Sequence, residues 1–340
     1  MNNPFRTAST YHTLDLHAAG EPCRVLYSDC YNLPGDSMRK RLDFMKEQND
    51  PIRVLLMQEP RGHKAMFGSV LCSPVTDDAD VGILYMDTGG YLDMCIHGTI
   101  CSARAVDELG LPLHTPDVVK LDAVCGRIEA HLHRGPNGRV KEVTVQNVPS
   151  FVFTPEPVLL EVEDFGPLPA YVVFAGNFFV IVENPFPEPI SPQSHSKDFY
   201  VNFGMRVRAA ANKAVAVAHP TNPSTRTIAL AVIYEQLADN PLHIRNTVLF
   251  GDGQMDRSPC GSGTSALMAL MHHLGRLDIG APYVSESFIG SVFNGQLKEE
   301  TMVGRFRAVV PLVRGQANLM ARCEFYREDA DPFPNGFVVD

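Results

Sequence analysis

The alternation of apolar and polar residues cuts this chain into short strand-like runs with few helical interruptions. Residues 14–30 open a β-rich region, in which Ala19-Gly20-Glu21-Pro22 turns between Leu14-Asp15-Leu16-His17 and Cys23-Arg24-Val25-Leu26-Tyr27. Residues 37–49 are charged but carry Met38, Leu42 and Met45 on one face, the spacing of a helix. Residues 52–57, 66–71 and 81–86 read as strands, with polar Glu59-Pro60-Arg61-Gly62-His63 as a loop between the first two. Further strands are predicted at 118–130 and 140–148, around an Asn137-Gly138 turn. Strands at 171–174 and 178–183 flank Gly176-Asn177, a helix is predicted near 196–207, and strands return at 228–234, 244–250 and through 287–325.

Two segments break this strand rhythm, and they resemble each other. Cys95-Ile96-His97-Gly98-Thr99 and Cys260-Gly261-Ser262-Gly263-Thr264 both read Cys-x-x-Gly-Thr, and both run through apolar residues to Leu-Gly, at Leu109-Gly110 and Leu274-Gly275. The offset is constant, since 260 − 95, 263 − 98, 264 − 99, 274 − 109 and 275 − 110 all equal 165. The match indicates an internal duplication with one cysteine opening one helix in each half. Each helix is apolar on nearly every side, so each is expected to be wrapped by strands. Gly110 and Gly275 stand where a C′ glycine ends a helix. The proline-rich stretch containing Pro149, Pro155, Pro157, Pro167 and Pro169 is the best boundary. The expected fold is α/β (α+β), with two pseudo-symmetric domains, each a β-rich layer around a buried central helix, and a site in the cleft between them. The first comprises residues 1–160 plus 324–340 and the second residues 161–323.

Composition narrows the class. A chain of 340 residues with 45% hydrophobic residues can fill two cores. A net charge of −10 argues against nucleic acid or an anionic membrane as partner, though not against a small anion held by local groups. No apolar run approaches the roughly 18 residues of a membrane helix, and the polar start, with Pro4, lacks the apolar stretch of a signal peptide. The eight cysteines are scattered and no Cys-x-x-Cys occurs, so reduced thiols and a cytoplasmic location are expected. Cys23, Cys30, Cys72, Cys101, Cys125 and Cys323 are taken as structural.

The chemistry lies in the repeated pair. A helix start presents unpaired N–H groups and partial positive charge, which stabilise a thiolate, lower a cysteine pKa and hold a carboxylate. Gly98, Gly261 and Gly263 allow close backbone approach. Two such starts facing one cleft would grip one carboxylate with its α-carbon between two sulfurs. One thiolate would then take the α-proton from one face while the other thiol delivers a proton to the opposite face, inverting the centre. Both groups should be of one kind, because the reverse reaction exchanges their roles. Fixed N–H dipoles would carry the developing charge, so no electron-sink cofactor is required. The same cysteines could instead be buried structural thiols, or pair when oxidised. A metal at Cys95-x-His97 is disfavoured, since Ser262 stands where the histidine would recur.

Met94-Cys95-x-His97-Gly98 and Asp256-Arg257-Ser258-Pro259-Cys260-Gly261-x-Gly263-Thr264 resemble the two signature motifs of the proline racemase family. Glu59-Pro60-Arg61-Gly62-His63, Gly20-Glu21-Pro22 and Ile289-Gly290-Ser291, with Phe293 and Gly295, also match, so the resemblance spans about residues 14–325. The family includes proline racemases, 4-hydroxyproline 2-epimerases and trans-3-hydroxyproline dehydratases. The resemblance implies a diaminopimelate-epimerase-like fold, no cofactor and a homodimer. It implies Cys95 and Cys260 as the acid and base, and His97 and Asp256 near the amine of an imino acid substrate. Backbone N–H groups of Ile96, His97, Gly98, Gly261 and Ser262 would hold the carboxylate, and Phe67 and Phe250 would line the ring pocket, which tilts the reading toward proline. The family's dehydratases typically have threonine at the second cysteine, so Cys260 favours inversion. The match departs at Ile96, where the family usually has glycine, and at Ala18, where threonine is commoner after the histidine. The Ile96 departure also raises the reading of an inactive imino-acid-binding protein.

Overall fold

The computed structural model describes residues 8–28, 31–237 and 240–339. Cys30 and the first seven residues, on which two expectations above rest, lie outside these. The fold is a strand-rich mixture of β and α structure, and its elements come in two runs of the same order. The first run is β1 (Ala8–Ala18), β2 (Glu21–Leu26), α1 (Met38–Gln48), α2 (Asp50–Met57), β3 (Phe67–Cys72), β4 (Val81–Asp87), β5 (Tyr91–Leu92), α3 (Ile96–Glu108), β6 (Val118–Ala123), β7 (Gly126–Arg134) and β8 (Val140–Gln146). Two short strands follow, β9 (Ser150–Val152) and β10 (Val158–Val162). The second run is β11 (Gly166–Phe174), β12 (Phe178–Glu183), α4 (Lys197–Ala214), β13 (Ile228–Leu237), β14 (Asn240–Phe250), β15 (Gln254–Met255), α5 (Gly261–His273), β16 (Pro282–Ser287), β17 (Val292–Val303) and β18 (Phe306–Gly315). The last strand is β19 (Ala317–Glu328).

The pairings repeat with the elements. β1–β2 is antiparallel, β2–β3 parallel, β3–β4 and β4–β5 antiparallel, β4–β6 parallel, and β6–β7 and β7–β8 antiparallel. The second run gives the same senses in the same order for β11–β12, β12–β13, β13–β14, β14–β15, β14–β16, β16–β17 and β17–β18. β9 closes the second run into a barrel by pairing with both β11 and β18. β18 also pairs with β8, and β19 continues from it to pair with β1 along its whole length. Both runs are thereby joined through one shared strand.

Side-chain alternation explains the layers. In β3 and β4, Phe67, Leu71, Ile83 and Tyr85 face the core that holds α3, while Val70, Cys72, Leu84 and Met86 face α1 and α2. In β11 to β13, Val173, Phe179, Ile181, Leu230 and Val232 face the core that holds α5, while Val172, Phe178, Val180 and Ile233 face α4. Strands covered on both faces read as nearly unbroken apolar runs. α3 and α5 share a single core, and every residue of 96–106 and 261–271 is buried. Arg104, the charge inside α3, pairs with Asp107 and Glu108 at the helix end. Gly110 and Gly275, with φ of 65° and 69°, end the two helices as expected.

Three local expectations change. Residues 52–57 form not a strand but the last three-quarters of α2: a short run of five apolar residues broken by Arg53 has no decisive period, and Pro51 in the first turn favours helix. Residues 118–130 are two strands, β6 and β7, broken by a turn at Gly126, whose φ is 118°. The helix predicted near 196–207 begins after its Ser196 cap but continues to Ala214.

The α4 layer depends on Phe203, which is fully buried and lies 4.8 Å from the Phe165 ring and 5.0 Å from that of Phe186. Phe203→Ala should cost about 3–5 kcal/mol of stability, read as a lower urea midpoint at unchanged slope.

Candidate active site

Cys95 caps α3 from extended backbone, and its Sγ accepts the Gly98 N–H at 3.4 Å. Cys260 caps α5 in the same way, accepting the Gly263 N–H at 3.4 Å. The helical ladders begin one residue later, with Thr99 and Thr264 donating to the two cysteine carbonyls. The N–H groups of residues 96–97 and 261–262 therefore have no partner inside their own helices, which suits each start to an anion. The copies differ in backbone: Cys260 has a φ of 57°, in the left-handed region. A non-glycine residue held in such a region costs about 1–3 kcal/mol and is characteristic of functional sites. The Ser258 hydroxyl accepts the Cys260 N–H at 3.1 Å and helps to hold this turn.

The two helix starts meet directly. A Cβ on Gly261 would stand 2.3 Å from Ile96 Cβ and 2.4 Å from its Cγ2. Glycine at 261 is thus required by the fully buried Ile96 side chain on the opposite helix. A Cβ on Gly98 would lie 2.9 Å from Phe67 Cε1, so this glycine too admits a neighbour.

Around Cys95, the His97 Nδ1 lies 3.0 Å from Sγ, and the His97 ring packs 4.3 Å from Phe67. Burial drives His97 down to about 4, against a smaller pull from the Pro22 carbonyl, so the ring is neutral at pH 7. Around Cys260, Ser262 Oγ lies 3.6 Å from Sγ. Asp256 Oδ1 accepts both the N–H and the hydroxyl of Ser258, at 2.8 and 2.7 Å. Burial raises Asp256 to about 6, with Ser258 and then Cys260 pulling down. Phe250 ends β14 in the core cluster that also contains Ile96, Phe67 and Cys260.

One electrostatic expectation is reversed. The Gly98 and Gly263 N–H groups do lower the thiol pKa values, but burial is the larger effect and pushes both well above the usual range. The nearby Asp256 adds to the rise, most strongly at Cys260. Both sulfurs are therefore protonated at neutral pH.

Glu21 lies beside Asp256 and Arg257, and the sequence alone gives it no role. It is fully buried, its Oε2 accepts the Arg257 N–H at 2.7 Å, and Oε1 has no hydrogen-bond partner among the described residues. Burial, then the Asp256 charge, raises its pKa well above the carboxylate range. The usable signal was the Gly20-Glu21-Pro22 turn. The Glu59–His63 loop is tied to β1 and β2: the Arg61 carbonyl accepts from Arg24, whose guanidinium pairs with Asp15 at 2.8 Å. A cavity of ≈ 300 Å³, lined by His63, Lys64, Lys197 and Arg257 among others, opens beside the segment leading to Cys260.

The sequence profile described as "Proline racemase" matches residues 13–338. The chain is 38% identical over 331 residues to the proline racemase of Clostridioides difficile, covering 96% of this chain and 97% of that protein. It is 37% identical over 339 residues to the trans-3-hydroxy-L-proline dehydratase of Burkholderia cenocepacia, covering 96% and 97%. The crystal structure of a hydroxyproline epimerase from Agrobacterium vitis, with bound trans-4-hydroxy-L-proline, superposes with a TM-score of 0.88 at 26% identity, covering 97% of this chain and 96% of that one. The chain belongs to the proline racemase family. With it, the chain joins the amino-acid racemases and epimerases, which are isomerases.

The contact between helix starts makes a quantitative prediction. Gly261→Ala should destabilise the protein by about 1–3 kcal/mol through overpacking. Ile96→Gly in the same chain should recover part of this, with a coupling of about 0.5–3 kcal/mol in a denaturant double-mutant cycle. Strictly additive effects would show that the two positions do not touch.

Proposed function

We propose that the protein inverts Cα of proline or a hydroxyproline without a cofactor, using Cys95 and Cys260 as the two acid/base groups. The observation that carries this reading is the matched pair of cysteine-capped helix starts, each sulfur on a glycine N–H at 3.4 Å, meeting where Ile96 rests on Gly261. The substrate carboxylate is assigned to the N–H groups of residues 96–98 and 261–262, and its amine to His97 and Asp256. Binding the carboxylate adds no net positive charge to help a thiolate, so the proton must be taken up locally. His97 Nδ1 is the acceptor beside Cys95, and Asp256 is the acceptor near Cys260.

In one direction the Cys260 thiolate removes the α-proton and the Cys95 thiol supplies one to the opposite face; in the other direction the roles exchange. The carbanion's charge spreads into the carboxylate, where the helix N–H groups already point. A buried site strengthens those dipoles, because little water competes with them. Phe67 and Phe250 are assigned to the ring pocket. A 4-hydroxyl buried there without a partner costs about 1–3 kcal/mol, which favours proline over 4-hydroxyproline. Cys260, in place of the threonine typical of the family's dehydratases, favours inversion over loss of water from trans-3-hydroxyproline.

A second reading has its own observation. Ile96 fills the gap between the helix starts, so the protein could bind an imino acid without turning it over. The broader proposal retains a diaminopimelate-epimerase-like fold and a division into residues 1–160 plus 324–340 and residues 161–323; the repeated pairing order supports two halves, with boundaries before β9, which pairs with β11 and β18, and after β18. The return strand β19 already begins to pair with β1 at Ala317. A homodimer and a cytoplasmic location complete it. Among the described residues no helix is long and apolar enough to cross a membrane.

Incubation with L-proline and with the cis- and trans-hydroxyprolines in D2O should give inverted product with deuterium at Cα. Cys95→Ser and Cys260→Ser should each lower inversion by at least about 1000-fold, the upper part of the range for acid–base groups. Binding of proline by calorimetry with no exchange would instead favour the binding protein, and a cyclic imine product the dehydratase. The pH dependence follows from Asp256. Raised to about 6, it is charged above that pH and neutral below, so kcat/KM should fall on the acid side of about 6. Asp256→Asn should remove that limb and lower the plateau.

A further inference from the structure

The hairpin turns that open the two runs are alike. Ala19-Gly20-Glu21 joins β1 to β2, and Ala175-Gly176-Asn177 joins β11 to β12. Both central glycines are left-handed, with φ of 93° and 89°. Each turn leaves its own run and docks on the other. In the first, Glu21 Oε2 accepts the Arg257 N–H at 2.7 Å, the Ser291 hydroxyl donates to the Ala19 carbonyl at 2.7 Å, and a Cβ on Gly20 would lie 2.7 Å from Ile289 Cδ1. In the second, Asn177 Nδ2 donates to the Met94 carbonyl at 3.4 Å, Asn147 Nδ2 donates to the Ala175 carbonyl at 3.3 Å, and a Cβ on Gly176 would lie 3.0 Å from Met94 Cγ.

The same three contacts are thus made in both directions: a side chain onto backbone, a polar group onto the alanine carbonyl, and a neighbour against the glycine. The backbone that is held matters. Arg257 stands three residues before Cys260, and Met94 immediately before Cys95. We propose that Glu21 and Asn177 are reciprocal positioning residues, each reaching from one run to fix the segment that delivers the other run's cysteine. This rests on the two-cysteine reading above for its catalytic meaning. Burying a carboxyl with one oxygen unpartnered is costly, so Glu21 needs a compensating role, and the hold on Arg257 supplies one. The polarity differs between the clasps because one grips an N–H and the other a carbonyl. Glu21 must accept, and Asn177 must donate.

The test labels the intact protein with iodoacetamide and follows the Cys95 and Cys260 peptides separately by mass spectrometry. Glu21→Ala should speed labelling of Cys260 several-fold and leave Cys95 at its original rate; Asn177→Ala should do the reverse. Glu21→Gln, which keeps an acceptor oxygen for Arg257, should label as the parent does. Asn177→Asp, which has the same shape but no donor, should behave like Asn177→Ala. With [2-²H]proline, Glu21→Ala should raise the primary isotope effect in one direction of inversion and Asn177→Ala in the opposite one. Equal labelling gains at both cysteines, no gain at either, or isotope effects that rise together would overturn the proposal. Labelling needs no turnover, so selective labelling in a protein that inverts none of the imino acids would reject the proposed reaction and keep the clasp.

Discussion

The structure is organised by the meeting of two like-charged helix ends. Two helices point their N-termini at one place, each carrying roughly half a positive charge, and Ile96 on Gly261 holds them together. Like ends repel, and the first N–H groups of each helix lack internal partners. What lies around them is acidic or acid-capable: the half-buried Cys95 thiol and the buried Cys260, Asp256 and Glu21. Burial keeps these groups protonated more readily than they would be in water. On the proposed reading, an incoming carboxylate would bring the negative charge that both helix ends lack and would lie between two protons.

The sheet makes that meeting unavoidable. β18 pairs with β17 and β9 in the second run and with β8 in the first, while β19 carries the chain back onto β1. With a strand shared between them, the two runs cannot drift independently, and α3 and α5 end up in one core. The hairpin clasps then act near the cysteines, where the sheet no longer dictates position. Duplication explains why both jobs are done twice with different chemistry: His97 beside one sulfur, Asp256 and Ser262 beside the other.

Much of this was legible in the chain. The offset of 165 found both helices, both cysteine caps and both C′ glycines, because these lie at equal spacing in each copy. The hairpin turns escaped that arithmetic, since 177 − 21 is 156: connections of different length intervene, and a fixed-offset comparison loses the repeat. α2 is hidden from a reading of pattern because five apolar residues around Arg53 carry no decisive period, and only Pro51 announces the helix. The thiol pKa values were predicted with the right local cause and the wrong sum, for burial is not readable from a motif. The odd residue Ile96 was visible as a departure, but its partner, Gly261, is distant in sequence and shows itself only when the helices meet.

The central claim is that two different groups handle the α-proton on opposite faces. The direct measurement is the isotopic content of substrate and product during the first turnovers of L-proline in D2O. Two bases predict deuterium at Cα of the D-product while recovered L-proline remains protiated. Deuterium appearing equally fast in recovered L-proline, or D-product that keeps the original hydrogen, would mean that a single group does both transfers and would contradict the account.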